Sequence, residues 1–203
     1  MANNVMNFGK NPLLNHIFPI EYWDDAAIKN PYYAIIGVDE EEFWKKEVEI
    51  EGLDKNTIFL DLGCGVGRVA KKIASQIKEY YGVDFSIEMI TKAKEIFKDY
   101  KNVHLFKNNG IDLRLFGNNL FDVVYVSLVF QHMQKEVAKN YIREVYRVLK
   151  PEGIFFANSI PRIEKYIGGF SKAEIDEAFK SFEILSSKQS DFYYKIKCRK
   201  NKK

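Results

Sequence analysis

Cysteine and histidine are scarce in this chain of 203 residues, which has two cysteines and three histidines. Cys64 and Cys198 stand far apart and in no ligand-like spacing, which excludes a disulfide framework and a CxxC metal site. The histidines are scattered and add no metal cluster. We therefore expect no metal site, and the cytoplasm, which is reducing, is the expected location.

Long apolar runs are also absent, because no stretch approaches the ~20 residues needed to span a bilayer. The first ten residues lack the basic and then apolar pattern of a secretory signal. The formal net charge is only +3, and much of the positive excess lies between residues 195 and 203. A nucleic-acid binder usually has a denser basic stripe. We expect no membrane partner, and RNA is permitted but not indicated.

The composition is that of an ordinary globular protein, with 46% hydrophobic and 29% charged residues. The length suits a single domain over residues 1–203. An aromatic-rich, proline-punctuated N-terminal segment at 1–52 precedes a core at 53–203. We interpret this segment as a helical cap, with one helix predicted at 40–49.

Strands and helices alternate through the core. The predicted strands are 57–62, 80–84, 103–106, 121–126, 154–157, 182–187 and 192–198. The predicted helices are 68–76, 86–97, 135–149 and 171–179. Strict alternation that ends in two adjacent strands predicts an α/β fold. We expect a Rossmann-like, mostly parallel sheet of seven strands with an antiparallel last strand and helices on both faces. Ligands bind such sheets at the carboxyl ends of the strands.

Three glycines alternate between the first strand and the next helix, in the sequence LDLGCGVG at 60–67. Glycine tolerates positive φ and allows a ligand to approach the backbone closely. The dinucleotide fingerprint G-x-G-x-x-G requires glycine where Arg68 stands, and a Walker A loop requires G-K-[ST] at its end. Both alternatives fail, which disfavours an NAD-dependent oxidoreductase. A simple turn would need one glycine, so the loop indicates a ligand site.

An acidic residue ends the second predicted strand at Asp84, about 20 residues beyond the glycine loop. A carboxylate there accepts hydrogen bonds from the two hydroxyls of a ribose. Its charge disfavours a 2′-phosphate, and hence an NADP-like ligand. Taken alone, an aspartate beside Ser86 would indicate a capping turn, but its position after the glycine loop favours ribose binding.

Four segments resemble the class I S-adenosylmethionine-dependent methyltransferases, in particular the group that acts mostly on small molecules. They are LDLGCGVG at 60–67, GVDFSIEM at 82–89, FDVVYVS at 121–127 and REVYRVLKPEG at 143–153. They follow the family's order and spacing across most of the core. The resemblance implies a methyl transfer from S-adenosylmethionine, which leaves S-adenosylhomocysteine.

The resemblance also implies roles for individual residues. Asp61, near the ammonium group, and Gly63, Cys64, Gly65 and Gly67 would surround the methionine part of the cofactor. The remaining implied contacts are Asp84 with the ribose, Phe85 and Met89 with the adenine, Asn109, Gly110 and Ile111 with the adenine's edge, and Leu128, with its neighbours Ser127 and Val129, beneath the sulfonium.

The sequence departs from the family at two places. Asn109 stands where aspartate is usual, and its amide oxygen still offers a neutral acceptor. The turn Pro151-Glu-Gly replaces the commoner Pro-Gly-Gly. The fourth strand also lacks the Asn/Asp-Pro-Pro-aromatic sequence of the members that methylate exocyclic amines of bases, so DNA is not an expected substrate.

The acceptor is not identified by these motifs. His132, just past the fourth strand, is a candidate general base, or it lines the pocket or caps the following helix. The N-terminal aromatic residues, Tyr22, Trp23, Tyr32 and Tyr33, either cover the site or pack on the sheet, and they suggest an apolar or aromatic small molecule. Two alternatives stay open: an RNA or protein methyltransferase, and a non-catalytic module that binds S-adenosylmethionine. The acceptor atom and the oligomeric state are not predicted.

Overall fold

The computed structural model describes residues 24–25, 50, 52–162 and 169–202. The helix predicted at 40–49 lies outside the described residues, as do the N-terminal aromatic residues Tyr22, Trp23, Tyr32 and Tyr33. The part that is described contains every strand and helix predicted for the core, and it contains no helix long and apolar enough to cross a bilayer.

Seven strands and four helices make up the described fold. The strands are β1 (Ile58–Leu62), β2 (Glu79–Asp84), β3 (Val103–Lys107), β4 (Phe121–Ser127), β5 (Leu149–Pro161), β6 (Phe182–Gln189) and β7 (Tyr193–Lys200). The helices are α1 (Arg68–Ile73), α2 (Ile87–Ile96), α3 (Lys135–Val148) and α4 (Lys172–Phe179), with a 3-10 turn at Phe130–His132.

The strands form one sheet in the order β3-β2-β1-β4-β5-β7-β6. The neighbours from β3 to β5 pair in parallel, and β7 is antiparallel to both β5 and β6. This confirms the predicted fold class, including the antiparallel last strand. The strand order reverses between β1 and β4, so the carboxyl end of β1 is the switch point at which such sheets bind ligands.

Two hydrophobic layers cover the sheet, one on each face. Because side chains alternate along a strand, Phe59 and Leu60 of β1 belong to different core clusters. Phe59 packs with residues of α1 and α2, whereas Leu60 lies in the cluster that contains α3 and α4. The nearly continuous apolar sequence of β1 therefore reflects burial on both faces.

A serine at the start of a predicted helix indicates an N-cap, and the structure confirms this at Ser86 and Ser171. Ser86 accepts a hydrogen bond from the backbone of Met89 at the start of α2, and Ser171 forms a capping box with Glu174 at the start of α4. These bonds satisfy backbone N–H groups that have no partner within the helix. Helix α1 is shorter than predicted, since it ends at Ile73 and residues 74–76 form turns.

One predicted core position is wrong. The helical spacing of the apolar residues in α2 predicts Ile96 on the buried stripe, but it is 49% exposed. Met89, Ile90, Ala93 and Phe97 form the buried stripe. Ile96 lies seven residues after Met89, which places it about 20° outside Met89 at the edge of this stripe.

The start of β5, where its register with β4 shifts, contains the departure at Pro151-Glu-Gly. Glu152 adopts a left-handed backbone conformation with φ of 66°. This conformation costs a residue with a Cβ about 1–2 kcal/mol, whereas glycine adopts it freely. The ion pair between Glu152 and Lys202 spans 3.8 Å between exposed side chains, so it offsets little of this cost.

We expect Glu152→Gly to leave the free energy of unfolding unchanged or to raise it by up to ~1 kcal/mol, because it removes the left-handed strain. The same change in the exposed last turn of α2, Glu95→Gly, should lower it by up to about 1 kcal/mol. Urea denaturation of both variants measures the two effects. Equal losses of stability would show that Glu152 carries no strain.

Candidate functional site

A cavity opens at the carboxyl ends of β1, β2 and β4, at the switch point of the sheet. Its empty volume is about 840 Å³, part of which is open to solvent. Residues expected at the site line it: Gly63, Cys64, Gly65, Asp84, Phe85, Met89, Gly110, Ser127, Leu128, Val129 and His132. Further wall residues are Leu62, Arg68, Val83, Asn108, Met133 and Tyr141.

The three glycines of the loop have different surroundings. A Cβ at Gly63 would lie 2.3 Å from a methyl carbon of Val129, and one at Gly67 would lie 2.4 Å from the ring of Phe97. A Cβ at Gly65 would have only the sulfur of Met89 near it, at 4.0 Å. Gly63 and Gly67 are therefore required by protein packing, whereas Gly65 leaves open space on the cavity side.

Asp84 connects the glycine loop to the start of α2. Its Oδ2 accepts a hydrogen bond of 2.9 Å from the backbone N–H of Gly65, and its Oδ1 accepts one of 2.9 Å from that of Ser86. Burial raises the pKa of this carboxyl above its usual range, and the backbone donors partly offset the effect. Each carboxylate oxygen has two acceptor sites, so both oxygens keep capacity for a ligand in the cavity.

The end of β4 forms the opposite part of the wall. Leu128 has a φ of 58°, a strained conformation for a leucine that costs about 1–2 kcal/mol. The turn at Leu128 places Ser127 and Val129 in the wall beside it. The Ser127 hydroxyl oxygen is buried and makes no hydrogen bond to any residue that the structure describes. Strain and a polar atom of this kind are typical of ligand sites.

The loop after β3 differs from the expectation. Asn109 is exposed and does not line the cavity. Its amide oxygen accepts hydrogen bonds from the backbone N–H groups of Ile111 and Asp112, at 2.9 and 3.0 Å. Ile111 is also outside the wall. The cavity wall contains Gly110 and the buried Asn108 instead.

Asp61 and Gly67 support the loop from behind rather than lining the cavity. The Asp61 carboxylate is 3% exposed and accepts a hydrogen bond of 2.5 Å from the Tyr80 hydroxyl. Burial raises the pKa of Asp61 to about 7, and the Tyr80 hydrogen bond and the charge of Arg68 partly offset this rise.

Six wall residues are not among the predicted site residues, and they include Asn108, Met133 and Tyr141. Tyr141 has the helical spacing of a core residue in α3, and burial alone explains that pattern. Its hydroxyl is the feature of the sequence that could have marked Tyr141 as a site residue, because a buried tyrosine hydroxyl usually has a hydrogen-bond partner. Asn108 could not be distinguished from Asn109 by residue type.

His132 lies in the wall next to the turn at the end of β4. Its Nε2 is 2.9 Å from the side-chain nitrogen of Gln131. In the neutral tautomer that carries its proton on Nδ1, the ring accepts a hydrogen bond from this amide. The structure thus brings His132 to the same cavity as the glycine loop and Asp84.

The cavity suits a ligand that carries a diol and an extended polar chain. Asp84 offers acceptors to the diol, and the open space at Gly65 admits a chain close to the backbone. The apolar side chains of Phe85 and Met89 can pack against a flat ring. S-adenosylmethionine has all three parts, so the residues present fit this cofactor.

Comparisons with known proteins agree with this geometry. Residues 59–153 match the family model of a methyltransferase domain. Over this segment the chain is similar to the class I S-adenosylmethionine-dependent methyltransferases. The matched segment runs from β1 into the start of β5, so it contains the glycine loop, Asp84 and the turn at the end of β4.

Two curated relatives of this chain illustrate the range of similarity. Demethylmenaquinone methyltransferase of Staphylococcus aureus is 31% identical over 124 residues, which are 59% of this chain and 50% of that protein. Carboxy-S-adenosyl-L-methionine synthase 1 of Yersinia pseudotuberculosis is 26% identical over 64% of this chain and 62% of that protein. The chain therefore spans about half to three fifths of these relatives' length.

A solved structure extends the likeness to the whole fold. The S-adenosylmethionine-dependent methyltransferase from Aquifex aeolicus superposes with a TM-score of 0.62 at 18% identity. The superposition covers 90% of this chain and 98% of that one. At this identity the likeness shows a shared fold.

We expect Asp61→Asn to change how stability depends on pH. Because the pKa of Asp61 is about 7 in the folded protein and 3.8 as its reference value, the unfolded chain loses this proton first. The carboxyl therefore costs the wild type stability as pH rises from about 4 to about 7. Relative to Asp61→Asn, the free energy of unfolding of the wild type should fall by up to roughly 4 kcal/mol over this pH range.

Urea denaturation of both proteins at several pH values between 4 and 8 measures this difference. The asparagine oxygen can still accept the Tyr80 hydrogen bond, so the comparison isolates the charge. Parallel stability curves would contradict a buried, titrating Asp61.

Proposed function

We propose that this chain binds S-adenosylmethionine in the cavity and transfers its methyl group to a small-molecule acceptor. One observation carries the proposal: Asp84, with acceptor capacity to spare, lies beside the open space at Gly65 in a methyltransferase fold. Similarity to the methyltransferase family supports the same activity.

The cofactor's parts fit distinct regions of the wall. We place the ribose hydroxyls on Asp84 and the methionine chain along Gly63 and Gly65. The adenine would pack against Phe85 and Met89. Asp61 would stabilise the ammonium group through the loop, because a negative charge behind the backbone favours a cation in front of it.

The chain's own residues would hold and orient the reactants. The cofactor supplies a methyl group made electrophilic by its sulfonium. Backbone groups at Leu128 and the side chain of Val129 would fix the acceptor in line with that methyl and exclude water. We assign to His132 the uptake of a proton from an acceptor that must lose one, at Nε2 and with release of the hydrogen bond from Gln131.

An apolar or aromatic acceptor suits the apolar wall formed by Val129 and Met133. The Staphylococcus aureus relative, by its name, methylates demethylmenaquinone, which supports an aromatic acceptor of low polarity. Asp24 of the N-terminal segment accepts a hydrogen bond from the Ser86 hydroxyl at the start of α2, next to Asp84 and Phe85. Both cysteines that the chain contains are free and buried, and we propose that it acts in the cytoplasm.

Calorimetric titration with S-adenosylhomocysteine tests the cofactor site. We expect micromolar affinity for the wild type, about −8 kcal/mol, and none for NAD. Gly65→Ala should weaken binding about 5- to 150-fold, because its Cβ enters the space left for the methionine chain and such overlap costs about 1–3 kcal/mol. The protein should still fold, since no protein atom lies closer than 4.0 Å to that Cβ and the positive φ of 52° costs an alanine only about 1–2 kcal/mol.

Gly52→Ala is the matched control, because its φ of 82° is also positive, a Cβ there meets no atom of the described residues within 4 Å, and the residue does not line the cavity. This variant should bind S-adenosylhomocysteine as the wild type does. A folded wild type that does not bind S-adenosylhomocysteine would contradict the proposed function, and so would a Gly65→Ala variant with unchanged affinity.

Transfer of an isotopically labelled methyl group identifies the acceptor class. We expect label in phenols or hydroquinones and none in RNA, because the cavity wall is largely apolar near His132 and Met133. Label found exclusively in RNA, with the steep salt dependence of phosphate contacts, would contradict a small-molecule acceptor.

A further inference from the structure

Asn108 and Tyr141 form a polar pair in the cavity wall that the proposed function leaves unexplained. Both are buried, with Tyr141 only 1% exposed, and both line the cavity. The side-chain nitrogen of Asn108 donates a hydrogen bond of 3.0 Å to the Tyr141 hydroxyl. Tyr141 lies on α3, whereas Asn108 follows β3, so the pair joins two separate parts of the wall.

The orientation of the Asn108 amide is fixed by the backbone. Its oxygen accepts a hydrogen bond of 3.1 Å from the N–H of Gly110, so its nitrogen must face Tyr141. The tyrosine oxygen is therefore the acceptor in this pair, and the hydroxyl proton has to point elsewhere. Among residues 52–162 and 169–202, no group accepts a hydrogen bond from Tyr141.

This hydroxyl remains a donor over the physiological pH range. Burial raises the pKa of Tyr141 above its usual value, and the hydrogen bond from Asn108 only partly offsets the rise. A buried donor without an acceptor is destabilising, and a ligand that supplies an acceptor removes that cost. The wall of the cavity thus contains a donor prepared for a ligand atom.

The pair lies next to the region that we assign to the ribose. The backbone N–H of Asn108 donates a hydrogen bond of 2.8 Å to the carbonyl oxygen of Asp84. One hydrogen bond therefore joins Asp84 to Asn108, and a second joins Asn108 to Tyr141. In a nucleoside the base is attached to the ribose, and the ring nitrogens of adenine are hydrogen-bond acceptors.

We propose that Tyr141, oriented by Asn108, recognises the base of the cofactor by donating a hydrogen bond to a ring nitrogen of the adenine. This inference rests on the proposed function. It also agrees with the presence of Asn109 where the family usually has aspartate. The Asn109 amide oxygen already accepts two backbone hydrogen bonds. The specificity for the base then lies in Asn108 and Tyr141, which neighbour the cavity, rather than in Asn109.

Calorimetry with S-adenosylhomocysteine and its 1-deaza, 3-deaza and 7-deaza analogues tests the proposal. Tyr141→Phe should weaken binding of S-adenosylhomocysteine about 5- to 10-fold, the value of one neutral hydrogen bond. One of the three analogues lacks the nitrogen that accepts this bond. For that analogue the wild type and Tyr141→Phe should have equal affinities. For the other two analogues Tyr141→Phe should bind more weakly than the wild type by the same factor as for S-adenosylhomocysteine.

Asn108→Asp provides a second variant, because its carboxylate keeps the acceptor for Gly110 but also accepts the Tyr141 proton. Its affinity for S-adenosylhomocysteine should fall at least as far as that of Tyr141→Phe. Tyr146→Phe is the matched control: it removes a hydroxyl from the same helix, at a residue that packs against Phe182 outside the cavity wall, and it should bind like the wild type.

Four outcomes would overturn the inference. If Tyr141→Phe binds S-adenosylhomocysteine as tightly as the wild type, the hydroxyl makes no contact with the ligand. If Tyr141→Phe weakens the binding of S-adenosylhomocysteine and of all three analogues by the same factor, Tyr141 acts only on the shape of the cavity. If Asn108→Asp keeps the wild-type affinity, the tyrosine proton has no role in binding. If the folded wild type binds none of them, the proposed function itself fails, and the recognition of the base fails with it.

Discussion

The carboxylate of Asp84 is the constraint on which the site depends. It accepts hydrogen bonds from the N–H groups of Gly65 and Ser86, and so it joins the loop after β1 to the loop after β2. Both loops begin at neighbouring parallel strands, which places them at one edge of the sheet. Without this connection the backbone hydrogen bonds from Gly63 and Cys64 to the Val83 carbonyl oxygen would still hold the loop against β2, but Gly65 would no longer be tied to the start of α2.

Close approach between backbones explains why the loop needs several glycines. Gly63 makes room for Val129 and Gly67 makes room for Phe97, so these two glycines stabilise the fold itself. Gly65 serves the cavity. The loop thus combines packing with ligand access, and a motif recognised from sequence as one functional unit separates in the structure into two structural positions and one ligand-facing position. The strained backbone at Leu128 completes the same wall from β4.

Much of the fold followed from the sequence because its signals are local. Strand β1 has a continuous apolar run, and Ser86 and Ser171 mark helix starts by residue type. The contents of the cavity wall followed less completely. Whether Asn108 or Asn109 lines the cavity depends on which of the two amides points inward. A shift of one residue after a strand turns a side chain from one face of the sheet to the other. A motif aligned by sequence contains no information on that rotation.

The most direct test of this account is a crystal structure of the chain with S-adenosylhomocysteine. The account predicts the two ribose hydroxyls within hydrogen-bond distance of the Asp84 carboxylate, and the homocysteine chain against Gly65 where a Cβ would otherwise project. A ligand bound with its ribose away from Asp84 would contradict the account. Crystals that hold no ligand after soaking in excess S-adenosylhomocysteine, with the cavity open to solvent, would contradict it as well.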